Sequence, residues 1–231
     1  MEMCDLGQEG TNTLIGITDL TRANRKTQNG RDVTFTDDRQ HPWGRPERVL
    51  GSPLSINFLL AQSDAAAVQV QHFSAFPTGF EFQVVAYAVL TEEVNVWDPM
   101  FGLAGLRGRE GKDPYDLADD VLRLSVEFSD GSRAHNLRPP MDPRPGETRY
   151  LEPGHGSAVR SEDGTMWTAD SMFWVWPLPS PGEVGFVCEW PQFGIEVTRH
   201  HIDAQSILDA ARLARPILPR KPDDPPFRQA Y

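Results

Sequence analysis

A run of acidic side chains near the middle of the sequence could bind a hard cation. Four carboxylates fall within eight residues, at Asp113, Asp116, Asp119 and Asp120. Calcium takes about six to eight oxygen ligands, but the spacing is not that of an EF-hand loop because the glycine and the final glutamate are missing. We interpret the run as a solvated turn that leads into a strand near Leu122, and we predict no metal site there.

Two histidine motifs could support metal or nucleophilic chemistry. His201 and Asp203 share one face of a predicted strand, but a tetrahedral zinc site needs further ligands, and no other histidine has a suitable spacing. His155 and Ser157 lie in a glycine-containing stretch that lacks the Gly-x-Ser-x-Gly pattern of a hydrolase elbow. The connection 138–163 around this pair is rich in proline, which predicts a disordered loop. We therefore predict no catalytic residue, no metal ligand and no cofactor.

Glycine recurs at every third position from residue 102 to residue 111, in a stretch that also carries Arg107 and Arg109. With Lys112, these arginines form the densest basic patch of an otherwise acidic region. The run lacks the glycine spacing of a phosphate-binding fingerprint, and no strand–loop–helix unit surrounds it. Two interpretations stay open. The stretch is either a mobile connection or a loop that orders on an anionic ligand or partner, with Arg107 and Arg109 as binding residues.

Tryptophans cluster in the last third of the sequence and could form a binding surface. Alternation along a strand places Trp174 and Trp176 on one face and Phe173 and Val175 on the other. Exposed coplanar tryptophans stack on sugar rings or anchor a protein partner, whereas buried ones pack a core. One of the two faces must lie inside. Exposed members of the Trp174/Trp176 face are therefore candidate binding residues.

Period-two patterns predict the antiparallel hairpins that would carry these groups. Val68, Val70 and His72 share one strand face, and a turn at 76–80 places Gly79 where a positive φ is expected. A second alternating run leaves this turn. With further runs, roughly seven to nine strands result, which fits two packed sheets better than a small barrel. The main runs lie at 54–60, 68–72, 80–86, 122–128, 172–176, 184–190 and 195–202.

The chain divides into three segments by composition. Residues 1–48 are predicted to be weakly structured, and 49–215 form one β-domain that includes a helix at about 203–215. Asp203 can cap this helix, because its carboxylate can accept hydrogen bonds from first-turn amides. The segment 216–231 is rich in proline, which predicts an extended tail.

Charge and cysteine content bound the function classes. The chain has 22 basic and 33 acidic side chains and a net charge of −11. Nucleic acids and anionic membranes bind basic surfaces, so we expect neither as a partner. Two cysteines, Cys4 and Cys188, are too few for a disulfide framework. There is no signal-peptide pattern and no long apolar run, so we expect a cytoplasmic protein.

Aromatic hairpin segments occur at Phe76–Phe82, Trp174–Leu178 and Phe186–Pro191, the last followed by Gly194 and Ile195. In these segments the chain resembles a group of uncharacterised bacterial β-sandwich proteins, over about residues 50–215. The resemblance implies a sandwich fold. It implies no catalytic residue, because that group has no assigned activity.

These patterns predict a mainly β protein, an immunoglobulin-like antiparallel β-sandwich with one C-terminal α-helix. The favoured function is a non-catalytic protein-interaction or scaffold module that contacts its partner through exposed tryptophans or an unpaired sheet edge. One alternative is a small-ligand or carbohydrate binder that uses the tryptophans. The other is a hydrolase or metal-dependent enzyme that uses carboxylates 113–120 or His201 and Asp203. A homo-oligomer is also compatible with the sequence, since sheet edges invite pairing.

Overall fold

The computed structural model of the chain describes residues 43–91, 119, 121–137 and 149–218. Within these ranges the protein is mainly β, with three antiparallel sheets and one α-helix near the C-terminus. The predicted fold class is confirmed at this level. The glycine-rich stretch 102–111 lies outside the described residues.

The long strands form where apolar side chains recur at every second position. In β4, for example, Val68 and Val70 are fully buried between half-exposed glutamines. The elements, in chain order, are β1 (Val49–Leu50), β2 (Ser52–Leu54), β3 (Phe58–Gln62), β4 (Ala66–Ala75), β5 (Phe80–Val89), β6 (Arg123–Phe128), β7 (Arg133–His135), β8 (Tyr150–Arg160), β9 (Met166–Trp176), β10 (Glu183–Trp190), a 3-10 turn (Pro191–Phe193), β11 (Ile195–Asp203), α1 (Ala204–Leu213) and β12 (Arg215–Pro216).

Two larger sheets and one small sheet contain these strands. In the six-stranded sheet the order is β4–β5–β9–β8, and both β2 and β3 pair with the free side of β4. The four-stranded sheet has the order β11–β10–β6–β7, and β1 pairs with β12. The pairs β4–β5, β6–β7, β8–β9 and β10–β11 are hairpins, so most of the pairing is between strands that follow each other along the chain.

Side chains of both larger sheets share one hydrophobic core. Phe186, on β10, packs edge-on against Phe58, Phe73 and Phe82 of the six-stranded sheet, with ring centroids 5.5, 5.6 and 5.1 Å apart. Such aromatic pairs add about 0.5–1.5 kcal/mol each beyond the area they bury. We call the face of the six-stranded sheet that meets this core the inner face, and the opposite one the outer face.

A second apolar cluster covers one end of the outer face. Trp174 packs there with Val49 and Phe76 and is only 5% exposed. Its indole Nε1 donates a hydrogen bond to the Trp43 carbonyl oxygen at 2.7 Å. The Arg45 guanidinium lies 4.7 Å from the centre of the Phe76 ring. The last residues of the predicted weakly structured segment are therefore packed against the sheet.

The helix α1 begins with the predicted cap. Asp203 Oδ1 accepts a hydrogen bond from the Gln205 backbone N–H at 2.9 Å, and Ile207 is fully buried against the core. The helix ends at Leu213 rather than near residue 215, because residues 215–216 pair with β1. In the described part of the chain no helix is long and apolar enough to cross a membrane.

The β4–β5 hairpin forms where the sequence predicts it, but its glycine has a different role. Gly79 does not have a positive φ. A Cβ atom at this position would lie 2.2 Å from the Val175 carbonyl oxygen and 2.6 Å from the Trp174 ring. Glycine is needed here because β9 approaches closely, not because the turn requires a left-handed conformation.

The largest departure from the sequence prediction is β8. Residues Tyr150–Arg160, predicted to belong to a disordered loop, form an 11-residue strand paired with β9. A Cβ atom on Gly156 would lie 2.1 Å from the Asp170 carbonyl oxygen, so glycine allows the two backbones to meet. This strand is specified by its neighbour β9 and not by an apolar pattern of its own.

Candidate functional site

A row of hydrogen-bonded polar side chains crosses the outer face of the six-stranded sheet. Ser157, on β8, donates its hydroxyl hydrogen to one oxygen of the Asp170 carboxylate on β9. The other Asp170 oxygen accepts from Gln83 Nε2, on β5, at 3.0 Å. On β4, Gln71 Nε2 and His72 Nδ1 lie 3.0 and 2.8 Å from Gln83 Oε1. We call these residues the outer polar row.

A β-bulge brings His72 into the row. The pairing of β4 with β5 shifts by one residue between Gln71 and Ser74, while Val70 and Phe73 both point into the core. His72 has φ +53° and is the one non-glycine residue with positive φ in the described part of the chain. The sequence pattern, which placed His72 on the apolar face of its strand, is wrong here because the bulge adds one residue.

Asp170 fixes the hydrogen-bond roles along the row. A carboxylate only accepts, so Gln83 must present its NH₂ group to Asp170 and its carbonyl oxygen to β4. His72 Nδ1 then donates to that oxygen, which leaves Nε2 of the neutral ring as an acceptor. Nε2 has no partner among the described residues, and the His72 side chain is exposed. The row therefore ends in an imidazole nitrogen that is open to a partner.

The geometry of the outer polar row suits binding rather than nucleophilic catalysis. Ser157 is bonded to a carboxylate, and two strands separate it from His72. At about 4.8 Å per strand the two residues are about 14 Å apart, far beyond the roughly 3 Å that proton transfer requires. What remains is a fixed set of donors and acceptors, which lowers the ordering cost of binding a polar surface.

Exposed apolar side chains lie on the same face, between the row and the β8–β9 turn. Val89 and Met166 are paired across β5 and β9 and are 39% and 37% exposed. Val159 stands next to Ser157 on the same face of β8 and is 65% exposed. Protein interfaces combine apolar contact area with hydrogen-bonding groups.

The predicted tryptophan surface is buried at Trp174 and half-buried at Trp176. Trp174 and Trp176 do share one face, opposite Phe173 and Val175, but Trp174 is buried in the second apolar cluster. Trp176 is half-buried, and its indole Nε1 is inaccessible, with no hydrogen-bond partner in the described residues. Trp174 therefore presents no open ring face to a sugar.

The predicted basic and acidic candidates are mostly beyond the part of the chain that the structure describes. Arg107 and Arg109 fall outside it. Of the acidic run 113–120, only Asp119 is described, and its carboxylate lies 3.7 Å from the Arg123 guanidinium. This is an exposed ion pair at the start of β6.

The histidine motifs are separated in the structure. His201 Nδ1 lies 3.7 Å from the Glu183 carboxylate, whereas Asp203 caps α1. His155 is exposed on β8, and its neighbour Ser157 is bonded to Asp170. Among the described residues no group of three or more His, Cys, Asp or Glu side chains could hold a metal ion.

Cys188, the described cysteine, is not poised as a nucleophile. It lies in the core on β10 and is 1% exposed. Burial raises the pKa of its thiol to about 12. The thiolate that would attack a substrate is therefore scarce at neutral pH.

Three residues of the outer polar row, Gln71, Gln83 and Asp170, are not among the residues singled out from the sequence. Gln83 stands between Phe82 and Val84, so alternation does place it on an outer face. Asp170 belongs to the first half of β9, whose start the sequence pattern placed at Met172. The sequence signal for these residues is a polar side chain at an outward strand position. This signal predicts the face of the sheet but not which strand lies next to it.

Comparison with known proteins identifies no relative. No family model matches the chain, and neither a curated protein nor a solved structure matches it. The resemblance to uncharacterised bacterial β-sandwich proteins therefore stays a prediction, and the assignment of function depends on the chain's own geometry.

Proposed function

We propose that the chain is a non-catalytic protein-interaction module built on an immunoglobulin-like sandwich. The strand order supports this fold. In an immunoglobulin domain one sheet has the order A–B–E–D and the other contains G–F–C, with C′ added in some domains. Here β4–β5–β9–β8 and β11–β10–β6–β7 follow the same two orders, and β2 and β3 extend the first sheet.

The outer polar row carries the functional part of the proposal. Its side chains are held by one another before any partner arrives, so binding would immobilise few rotamers. The strained His72 backbone is a further sign, since such strain gathers at binding sites. The exposed Val159 and Met166 beside the row supply apolar contact area. The net charge of −11 favours a basic partner over an acidic one.

Cytoplasmic location is part of the same proposal. The chain has only two cysteines, and Cys188 is a buried free thiol, which suits a reducing compartment. The net charge of −11 supports a protein partner rather than a nucleic acid or a membrane.

The two alternative functions have less support. A carbohydrate binder that stacks sugars on Trp174 and Trp176 requires exposed rings, and Trp174 is 5% exposed. A hydrolase or metal-dependent enzyme built on His201 and Asp203 requires these side chains to act together, but Asp203 caps α1.

Affinity capture from a native lysate tests the proposal with matched variants of the full chain. Gln83→Ala and Asp170→Ala each break the outer polar row, and Glu196→Ala removes an exposed carboxylate from β11 as a control. We expect one stoichiometric partner with the wild type and the control, and a loss of affinity of about tenfold, or about 1.4 kcal/mol, with the row variants. Thermal melts verify that each variant is folded.

Equal recovery of the partner by all four proteins would place the contact elsewhere and contradict the assignment of the outer face. Recovery of no partner by the wild type would argue against an interaction module.

A further inference from the structure

One edge of the six-stranded sheet is open to an added strand. β8 is the last strand of that sheet, and residues 156–160 pair with β9 on one side only, among the residues that the structure describes. Most of these residues are exposed. A free strand edge presents unpaired N–H and C=O groups that another chain can use.

The direction of the free amides follows from the hairpin. The Ser161 backbone N–H donates to the Met166 carbonyl oxygen at 2.9 Å, next to the turn. Antiparallel strands alternate, so the amides of Ser157 and Val159 also point to β9. Those of Gly156, Ala158 and Arg160 point to the open edge.

The other long edge is protected against strand addition, and this one is not. β11 carries formal charges at Glu196, Arg199 and Asp203, a common device against edge pairing. In contrast, the one formally charged side chain within residues 154–160 of β8 is Arg160, at the end of the strand next to the turn. Pro153 and the bulge that follows it close only the first part of the strand.

The outer face beside this edge points to the chemistry of the partner. Asp170 accepts one hydrogen bond at each oxygen, from neutral Ser157 and Gln83, although a carboxylate has about four acceptor positions. In the described part of the chain it has no cationic partner. A residue of an added strand opposite Ser157 would be about 10 Å from Asp170, two strand spacings, which a lysine or arginine side chain largely spans. The small Ser157 side chain leaves room for it.

We propose that the β8 edge takes an extended segment of a partner protein by strand addition, with a lysine or arginine that reaches Asp170. This inference depends on the proposed interaction function and names its site. In the partner segment, the neighbouring side chain on the same face that lies toward Val159 is apolar. A second copy of the chain fits less well, since each copy carries a net charge of −11. The one lysine or arginine within residues 154–160 is Arg160, which pairs with the buried Trp167 and so lies on the opposite face from Ser157.

Two heptapeptides probe the edge directly: Thr-Val-Thr-Lys-Thr-Val-Thr and the same peptide with Glu in place of Lys, both capped at their ends and fluorescently labelled. Fluorescence polarisation with the full chain should show the lysine peptide binding at least about tenfold more tightly. Asp170→Asn should remove most of this preference, because it deletes the charge, while its amide oxygen can still accept from Gln83 and its NH₂ group can donate to the Ser157 hydroxyl oxygen. Higher salt should reduce it as well.

Ala158→Pro is the decisive variant, because it deletes an amide that points to the open edge and none that bonds to β9. Ala158→Ser keeps the amide and is the matched control. We expect Ala158→Pro to reduce the affinity for the lysine peptide by at least about tenfold and Ala158→Ser to leave it unchanged. Hydrogen exchange should slow at Gly156, Ala158 and Arg160 when the peptide is added to the wild type.

Unchanged peptide binding by a folded Ala158→Pro variant, or no binding of either peptide to the wild type, would overturn the edge assignment. If the lysate partner is lost with Gln83→Ala but kept with Ala158→Pro, the interaction function stands and the edge assignment fails. A wild-type dimer in sedimentation that Ala158→Pro dissociates would put a second copy at this edge and overturn the choice of a basic partner.

Discussion

His72 is the residue at which local strain and the candidate site coincide. Its left-handed backbone, φ +53°, places the imidazole against Gln83. This conformation costs a non-glycine residue about 1–2 kcal/mol. A cost of that size persists where the surrounding structure imposes it, as the bulge does here, and such strain concentrates at binding sites.

A pair of substitutions separates the strain from the imidazole. His72→Ala and His72→Gly both delete the ring, but only glycine relaxes the backbone. Glycine also has about 0.5–1 kcal/mol more chain entropy to lose on folding. We therefore expect the glycine variant to be more stable than the alanine variant by about 0.5–1 kcal/mol. Urea unfolding at neutral pH measures the difference.

If His72→Ala proves more stable than His72→Gly by the full entropy difference of about 0.5–1 kcal/mol, the backbone at this position is not strained. Both variants should bind the captured partner less well than the wild type, because both remove the end of the outer polar row. A strained binding residue predicts that His72→Gly is more stable than His72→Ala but binds the partner less well than the wild type.

The site residues show what a single strand pattern can and cannot specify. Gln83 was placed on an outer face by its apolar neighbours, and that position is correct. His72 was misplaced, since a bulge changes the alternation by one residue without a marked sequence signal. The hydrogen bond between Gln83 and Asp170 depends on the pairing of β5 with β9, which brings together residues that are 87 positions apart in the sequence. Period-two patterns carry no information on that pairing.

The elements differ in how far local sequence determines them. The β4–β5 hairpin has alternating apolar residues and a short turn, and it forms where predicted. In β8, by contrast, residues 153–157 read Pro-Gly-His-Gly-Ser, which favours a loop. Its strand conformation depends on the hydrogen bonds that β9 offers, and the glycines permit the approach. The pattern of a single segment does not predict a strand that forms because a neighbouring strand pairs with it.

The C-terminal helix was predictable from its first turn, and its cap gives a direct test. Asp203→Ala removes the acceptor for the Gln205 amide and should destabilise the protein by about 1 kcal/mol. Asp209→Ala is the control, because Asp209 binds Gln205 and Arg212 on the exposed helix surface, where such pairs contribute about 0.2–0.5 kcal/mol. Chemical denaturation measures both.

A smaller loss of stability with Asp203→Ala than with Asp209→Ala would mean that the hydrogen bond of the cap does not stabilise the start of the helix. In that case the burial of Ile207 against the core would be the main source of helix stability.

At the scale of the whole molecule, two features join the larger sheets. Phe186 of the four-stranded sheet packs among phenylalanines of the six-stranded sheet. At one end, the buried Arg149 bonds to the Leu178 carbonyl oxygen at 3.0 Å and to the β6–β7 turn through Ser132 and Asp130, each at 2.9 Å. These bonds tie the start of β8 to the other sheet.

This second junction should make the molecule sensitive to acid. The Ser132 hydroxyl and backbone amide, followed by Arg149, hold the pKa of Asp130 at about 2, below its ordinary value of 3.8. Because the folded pKa is the lower one, the ionised carboxylate stabilises the folded state fully above pH 3.8, and this contribution is lost as the pH falls toward 2. Asp130→Asn should therefore reduce stability at neutral pH, with a deficit that shrinks as the pH approaches 2.

Denaturant unfolding of the wild type and Asp130→Asn, at neutral pH and near pH 2, isolates this group, since every other carboxylate titrates in both proteins. Asp64→Asn, at an exposed position in the β3–β4 turn, is the matched control for the removal of a surface carboxylate. If Asp130→Asn is as much less stable than the wild type near pH 2 as at neutral pH, the charge of the Asp130 carboxylate is not what stabilises the folded state. The junction would then hold through the remaining bonds of Arg149 alone, and acid would not release β8 from the other sheet.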